Sequence, residues 1–323
     1  MHRIGPLALL LLLAETALGE EVPSLAFPVD CALGRDCHIQ QYVDRAAGPE
    51  AADFTCGPLS YDGHKGTDIR LIDDAAIAGD VPVLAAGEGV VRAVRDGMAD
   101  IRQNVDDAPD VAGRECGNGV VLDHGGGWVS QYCHLKEGSV VVAEGEQVAA
   151  GSTLGAIGLS GMSEFPHLHF EVRQDERVVD PFDGASMTAS CGAPAAPLWS
   201  EPVPYAAGGA LASGIMTEAP DYEMIRQDGP HAPRLAATAP ALVFWAHFFG
   251  VREGDELHLS LDGPEGQVAE QTTTLDRNRA TQFVFAGRRR PDAGWPPGRY
   301  HARAELRRDG APYATIEAVT EVE

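Results

Sequence analysis

Five side chains in three short strings carry the chemistry this sequence could perform. They are His64 and Asp68 in His64-Lys65-Gly66-Thr67-Asp68, His134 in Tyr132-Cys133-His134-Leu135, and His167 and His169 in Pro166-His167-Leu168-His169-Phe170. Zinc binds imidazole nitrogen and carboxylate oxygen, and a catalytic zinc site uses three protein ligands with one position left open. Four imidazoles and one carboxylate therefore suffice for a hydrolytic metal centre, with groups to spare for proton transfer. Each histidine taken alone reads as a structural or surface side chain; the set with Asp68 reads as a metal site.

The spacings say which elements must position these groups. On a β-strand, residues two apart share a face. From His167 to Arg173 one face carries Leu168, Phe170 and Val172, and the other His167, His169, Glu171 and Arg173. That alternation predicts a strand with both imidazoles on its polar side. The same count puts Ser130, Tyr132 and His134 on one face, and Val129, Cys133 and Leu135 on the other. His64 and Asp68 are four apart, so an extended segment would point both at one site.

Four motifs in order then carry a resemblance. Gly63-His64-Lys65-Gly66-Thr67-Asp68, the stretch Gly117 to Gly125, Tyr132-Cys133-His134-Leu135 and His167 to Arg173 resemble the lysostaphin/LytM-type zinc metallopeptidases, the M23 family, from about Tyr61 to Pro181. The glycine-marked turns at 144–148 and 150–155 also fit. The resemblance implies an antiparallel β fold with an open groove, peptidoglycan peptide stems as substrate, and Zn2+ as cofactor. Residue by residue it implies His64, Asp68 and His169 as metal ligands, and His134 and His167 as the unliganded catalytic pair. Which of the two is the base and which the oxyanion donor stays open. The chain departs from the family in an acidic insertion at 95–115 and in everything after Cys191.

The beginning of the chain reads as a signal peptide over 1–19. Arg3 precedes the apolar run Leu7 to Leu13, and Ala17-Leu18-Gly19 supplies small residues before Glu20. That run is shorter than the roughly 20 residues a membrane helix needs, and no integral membrane segment is expected. An exported, periplasmic or secreted protein follows. The net charge of −24 argues against nucleic acid and anionic membrane surfaces as partners. The two lysines, Lys65 and Lys136, both stand beside the histidine strings.

Six cysteines in an exported chain suggest three disulfides. Cys31 and Cys37 would close a short loop, and Cys116 and Cys133 flank the Gly125-Gly126-Gly127 turn of a hairpin. Cys56 with Cys191 is what remains. A thiolate zinc site is disfavoured because no CxxC pair occurs.

The expected architecture is all-β. A leader at 20–60 reads as irregular. Residues 61–191 form the zinc peptidase domain, with strands at Val81-Leu84, Gly89-Val94, Val120-Leu122, Val140-Val142 and Thr153-Ile157. A Pro/Ala linker occupies 192–204, and an immunoglobulin-like β-sandwich occupies 205–323. The sandwich reads as accessory, for substrate positioning, docking of a cell-wall protein partner, or stability. His124 reads as structural, His247 as a packed strand residue, and His231, His258 and His301 as scattered. The acidic insertion reads as a solvated loop, with groove-rim or calcium roles as its rivals, and Arg288-Arg289-Arg290 as a solvated strand end. The expected function is a zinc-dependent endopeptidase acting on peptidoglycan cross-links. The alternatives are a non-enzymatic regulator of another wall hydrolase and a wall-binding protein.

Overall fold

A computed structural model describes residues 22–194, 196–229 and 231–323. The expected signal peptide at 1–19 lies outside the described residues. The first half carries β1 (Cys37–Gln41), β2 (Thr67–Leu71), β3 (Pro82–Leu84), β4 (Gly89–Arg95), β5 (Asn118–Gly125), β6 (Trp128–Leu135), β7 (Gln147–Val148), β8 (Thr153–Ala156), β9 (His167–Gln174) and β10 (Arg177–Val179). The second half carries β11 (Gly209–Met216), helix α1 (Tyr222–Asp228), β12 (Arg234–Leu235), β13 (Ala241–Val251), β14 (Glu256–Gly263), β15 (Gly266–Thr274), β16 (Arg279–Arg289), β17 (Gly298–Arg308) and β18 (Ala311–Val322).

The protein is all-β. In the first half β1-β2-β9-β6-β5-β4-β7 form one sheet, with β10 paired to β9 and a separate β3-β8 pair. Every pairing in it is antiparallel. The alternation read in β9 is what packs this sheet. Leu168, Phe170 and Val172 are buried in a cluster with Ile69, Leu122 and Tyr132. Each such side chain contributes about 1.5–3 kcal/mol on burial, so the apolar face fixes which way the histidines point.

Three readings of the sequence are revised. The stretch at 20–60 is not merely irregular. It supplies β1 at the sheet edge and buries Leu25, Val29, Tyr42 and Leu59 in the same core. Residues 192–204 are not a free linker. Leu198 and Trp199 are buried in that core, and Trp199 lies in a parallel bridge with Leu25. Val140–Val142 is not a strand. The Val141 N–H donates to the Leu154 carbonyl at 3.0 Å while its side chain faces solvent, and Val140 and Val142 lean on the core. Two of the three valines pack on the core without a ladder, because the single Val141–Leu154 bond is not extended into strand pairing.

Three disulfides, Cys31–Cys37, Cys56–Cys191 and Cys116–Cys133, tie the first half together. The second closes the longest loop, for which chain-entropy stabilisation is greatest.

The second half is a two-sheet β-sandwich. A three-stranded sheet, β11-β13-β16, faces a five-stranded sheet, β12-β18-β17-β14-β15. Phe244, Ala246 and Phe248 of β13 meet Leu257, Leu259 and Leu261 of β14 and Ala302 and Ala304 of β17 in one core. Helix α1 caps the outer face of the smaller sheet through Ile225, which packs with Met216, Val243 and Trp245. Its N-cap Asp221 accepts the Met224 N–H at 2.9 Å. The two halves touch where the His38 ring of β1 lies 4.6 Å from the Phe249 ring of β13. Close by, the Asp74 N–H donates to the Arg226 carbonyl at 2.9 Å.

The packing of Trp199 against Phe27, Phe170 and Phe182 yields a direct test of the revised 192–204 segment. Trp199→Ala is expected to destabilise the protein by about 3–5 kcal/mol in denaturant unfolding. A free linker would give no measurable change.

Candidate metal centre

Strand register brings the candidate ligands together. Asp68 on β2 stands directly opposite His169 on β9, and His169 stands opposite Cys133 on β6. Cross-strand partners share a face, so Asp68, His169 and Cys133 form one row across the groove side of the sheet. The Asp68 Oδ1 lies 2.8 Å from the His169 Nδ1. His64 Nε2 completes the group, 3.1 Å from that Oδ1 and 3.2 Å from that Nδ1. These are the three candidate ligands read from the sequence.

His64 reaches the site by a different route from the extended segment expected. It lies in a turn before β2, after Gly63, whose φ is +75°. Its N–H donates to the Tyr61 carbonyl at 3.0 Å, and its own carbonyl accepts the Asp44 N–H at 2.8 Å. Its Nδ1 donates to the Tyr42 carbonyl at 2.7 Å, which places the ring proton there and leaves the Nε2 lone pair facing Asp68 and His169. Gly66 lets this turn pass over the site, because a Cβ there would lie 2.6 Å from His169 Nε2.

His134 corrects the strand count more sharply. Alternation grouped it with Tyr132, whose side chain turns into the core and whose hydroxyl accepts the Ala86 N–H. The structure places His134 on the groove side, where it lines the cleft beside Gln131 and Cys133. The cause is its left-handed backbone, φ +63°, which breaks the period of two. That conformation costs about 1–3 kcal/mol and persists only where neighbours fix it. Here the adjoining Cys116–Cys133 disulfide and a 2.8 Å bond from the His134 N–H to the Cys116 carbonyl do so.

His134 and His167 face each other with ring centroids 4.6 Å apart. His134 Nδ1 donates to the Ser160 carbonyl at 2.7 Å, and His167 Nδ1 donates to the Phe165 carbonyl at 2.8 Å. Both rings therefore hold their proton at Nδ1 and leave Nε2 bare. His167 Nε2 is 3.5 Å from Asp68 Oδ1.

Burial shapes the electrostatics. It holds the His134 imidazolium well below its ordinary range, helped by the charges of His167 and His169. Burial also brings His167 down to about 4, against the attraction of Asp68. Both rings are neutral near pH 7. For Asp68, burial opposes the charge, but the surrounding imidazoles of His64, His167 and His169 outweigh it, and the carboxyl sits well below its usual range. For His169, burial again opposes the charge, but bonding to Asp68 and Glu171 raises it to about 9.

The groove above these groups, about 370 Å³, is walled by Tyr61, Met162, Phe165, Gln40 and Gln41. Tyr61 and Gln41 belong to none of the histidine strings. The Tyr61 ring lies 4.4 Å from that of His64, and only its place three residues ahead of His64 could have marked it. His124 is held by the Glu88 carbonyl and Ser130, and His247 is buried beside Tyr222, as expected for structural residues. The acidic insertion is anchored rather than free. Asp96 accepts the Gly138 and Val140 N–H groups, and Asp100 those of Glu137 and Leu159.

Residues 62–181 match the family model described as Peptidase family M23. This stretch of the chain is an M23 domain. It is 30% identical over 109 residues to the peptidoglycan DD-endopeptidase ShyA of Vibrio cholerae, covering 34% of this chain and 20% of that protein. It is 35% identical over 103 residues to the murein hydrolase activator EnvC of Escherichia coli, covering 31% of this chain and 22% of that protein. The matches thus span less than a quarter of those relatives' lengths. A crystal structure of a zinc containing peptidase from Vibrio cholerae is similar at 26% identity and TM-score 0.33, covering 49% of this chain and 39% of that one.

The donor set fits zinc: two imidazole nitrogens and one carboxylate oxygen, all within 4.8 Å of one another. Purified protein is expected to carry about one zinc per chain, and Asp68→Ala to lose it. His134→Ala and His167→Ala should keep it. Elemental analysis of the three variants checks the division, and a zinc-free His134→Ala protein would overturn it.

Proposed function

We propose that this chain is an exported zinc-dependent endopeptidase that hydrolyses peptide cross-links of peptidoglycan. The observation that supports it best is the convergence of His64 Nε2, Asp68 Oδ1 and His169 Nδ1 beneath a groove that two further neutral imidazoles also line. His64, Asp68 and His169 would hold the metal, which when bound supplies Lewis acidity to polarise a peptide carbonyl and acidify a water.

His134 and His167 do the rest. Each has its Nδ1 proton fixed on a backbone carbonyl and a bare Nε2, so each can accept a proton at Nε2. Once protonated there, the same nitrogen becomes a donor to a developing oxyanion or a departing amine. Their depressed basicity keeps both in the accepting form at neutral pH. The Ser160 and Phe165 carbonyls stabilise the protonated rings and hold their orientation. Tyr61, beside His64, keeps its phenol protonated because burial and then Asp68 and Glu164 raise it, so it remains a donor at the groove rim.

Export is supported by the three disulfides, which persist in oxidising compartments. The substrate class is supported by similarity to the DD-endopeptidase ShyA. Similarity to the activator EnvC favours a second reading, in which the chain stimulates another wall hydrolase. An activator needs none of the five site residues, and this chain has all five.

Digestion of purified peptidoglycan, followed by mass analysis of released muropeptides, separates the two. Zinc-loaded protein is expected to release products alone, and His134→Ala or His167→Ala to slow release by about 10²–10⁴-fold. Undigested wall in the presence of stoichiometric zinc would overturn the peptidase reading.

A further inference from the structure

The groove does not end at the M23 domain. Ala280, the second residue of β16, lines the same cleft as Asp68, His134, His167 and His169. A second hollow of about 300 Å³ adjoins it and shares both Gln41 and Ala280. One side of that hollow comes from the first half of the chain, through Ala51 and Ser60, and the other from the sandwich, through Asn278 and Arg279.

Two features of the shared wall point to a ligand. Gln41 is 9% exposed, and its side-chain oxygen is buried with no hydrogen-bond partner among the described residues. A bulge in β1 between Ile39 and Gln41 brings this residue opposite Asp68. An amide oxygen buried without a donor carries an uncompensated desolvation cost, and a substrate N–H would relieve it. Arg279 is the one charged residue lining the hollow among the described residues, on a protein of net charge −24. Its guanidinium is oriented by Gln282 Oε1 at 2.6 Å and Asp276 Oδ1 at 3.0 Å, while its Nε has no partner. Asp276 is 77% exposed, so that pair is weak and well screened.

We propose that the sandwich forms one wall of the substrate groove, and that Gln41 and Arg279 make a subsite for a peptide bearing a free carboxylate. The Gln41 oxygen takes a backbone N–H of the peptide, and Arg279 takes the carboxylate. This rests on the peptidase reading for the substrate class, not for the existence of the subsite.

The test uses the full chain and two probes: a soluble cross-linked muropeptide dimer with free carboxylates, and the same dimer with those carboxylates amidated. Binding is measured by calorimetry with chelator present, so that no turnover occurs, and cleavage is followed separately in zinc-loaded protein. Wild type is expected to bind the carboxylate form about tenfold or more tightly than the amide form. Arg279→Gln should abolish the preference with zinc content unchanged, Arg279→Lys should retain part of it, and Gln41→Ala should weaken both probes alike. Cleavage with a preference that Arg279→Gln leaves intact would overturn the subsite and leave the peptidase reading standing. Preference without cleavage would uphold the subsite and overturn the peptidase. Failure of wild type to bind either probe, or to distinguish them, overturns the subsite.

Discussion

The opposition of Asp68 and His169 across β2 and β9 is the constraint on which the site depends. Paired residues on neighbouring strands have Cβ atoms about 4.5–5.5 Å apart, so two side chains rising from one face converge without any loop holding them. Their tips meet at 2.8 Å. The register that achieves this is set from the other face. Leu168, Phe170 and Val172 on β9 and Ile69 on β2 are buried in the core beneath. A slip of one residue would turn those side chains to solvent and both β9 histidines into the core. The apolar face thus carries the free energy, and the polar face inherits the geometry.

Bringing so many polar groups under cover has a cost that the backbone offsets. His64, Asp68, His134 and His167 are all buried. The carbonyls of Tyr42, Ser160 and Phe165 each take one imidazole proton. These bonds leave three Nε2 lone pairs unspent, all on the groove side. Asp68 is the one carboxylate among them, and it tolerates burial because three imidazoles surround it. The metal-binding reading rests on the ligand types and their convergence, two imidazole nitrogens and one carboxylate oxygen within 4.8 Å of one another.

Most of the site was legible in the sequence because β9 and β2 obey the period of two. The β9 alternation needed no tertiary information, since the core faces a continuous apolar row. His134 was misplaced because a single left-handed residue reverses the faces beyond it, and nothing in Tyr132-Cys133-His134-Leu135 marks a positive φ. His64 reaches the group through a turn rather than the extended segment its spacing suggests. The segments at 20–60 and 192–204 misled for a compositional reason. Proline and alanine suggest a spacer, yet Trp199 and Leu198 are enough to pin the stretch to the core. Gln41 and Arg279 had no sequence signal, because the cleft they share joins parts of the chain more than 200 residues apart.

That long-range contact changes what the sandwich does for the M23 domain. Arg70 follows Asp68 by two residues on β2 and shares its face, and its guanidinium is buried against the Phe165 ring at 4.4 Å. Gln40 accepts from it at 2.5 Å, and the Tyr222 phenol of α1 stands beside it. A buried guanidinium with no carboxylate partner among the described residues depends on every neutral acceptor it has. Without Tyr222 and the β13 face, Arg70 and the edge of β1 would open to water beside the ligands. The same guanidinium packs on the ring of Phe165, whose carbonyl orients His167. The sandwich thus meets the M23 domain at Arg70, whose guanidinium packs on the Phe165 ring, apart from any contact it makes with substrate.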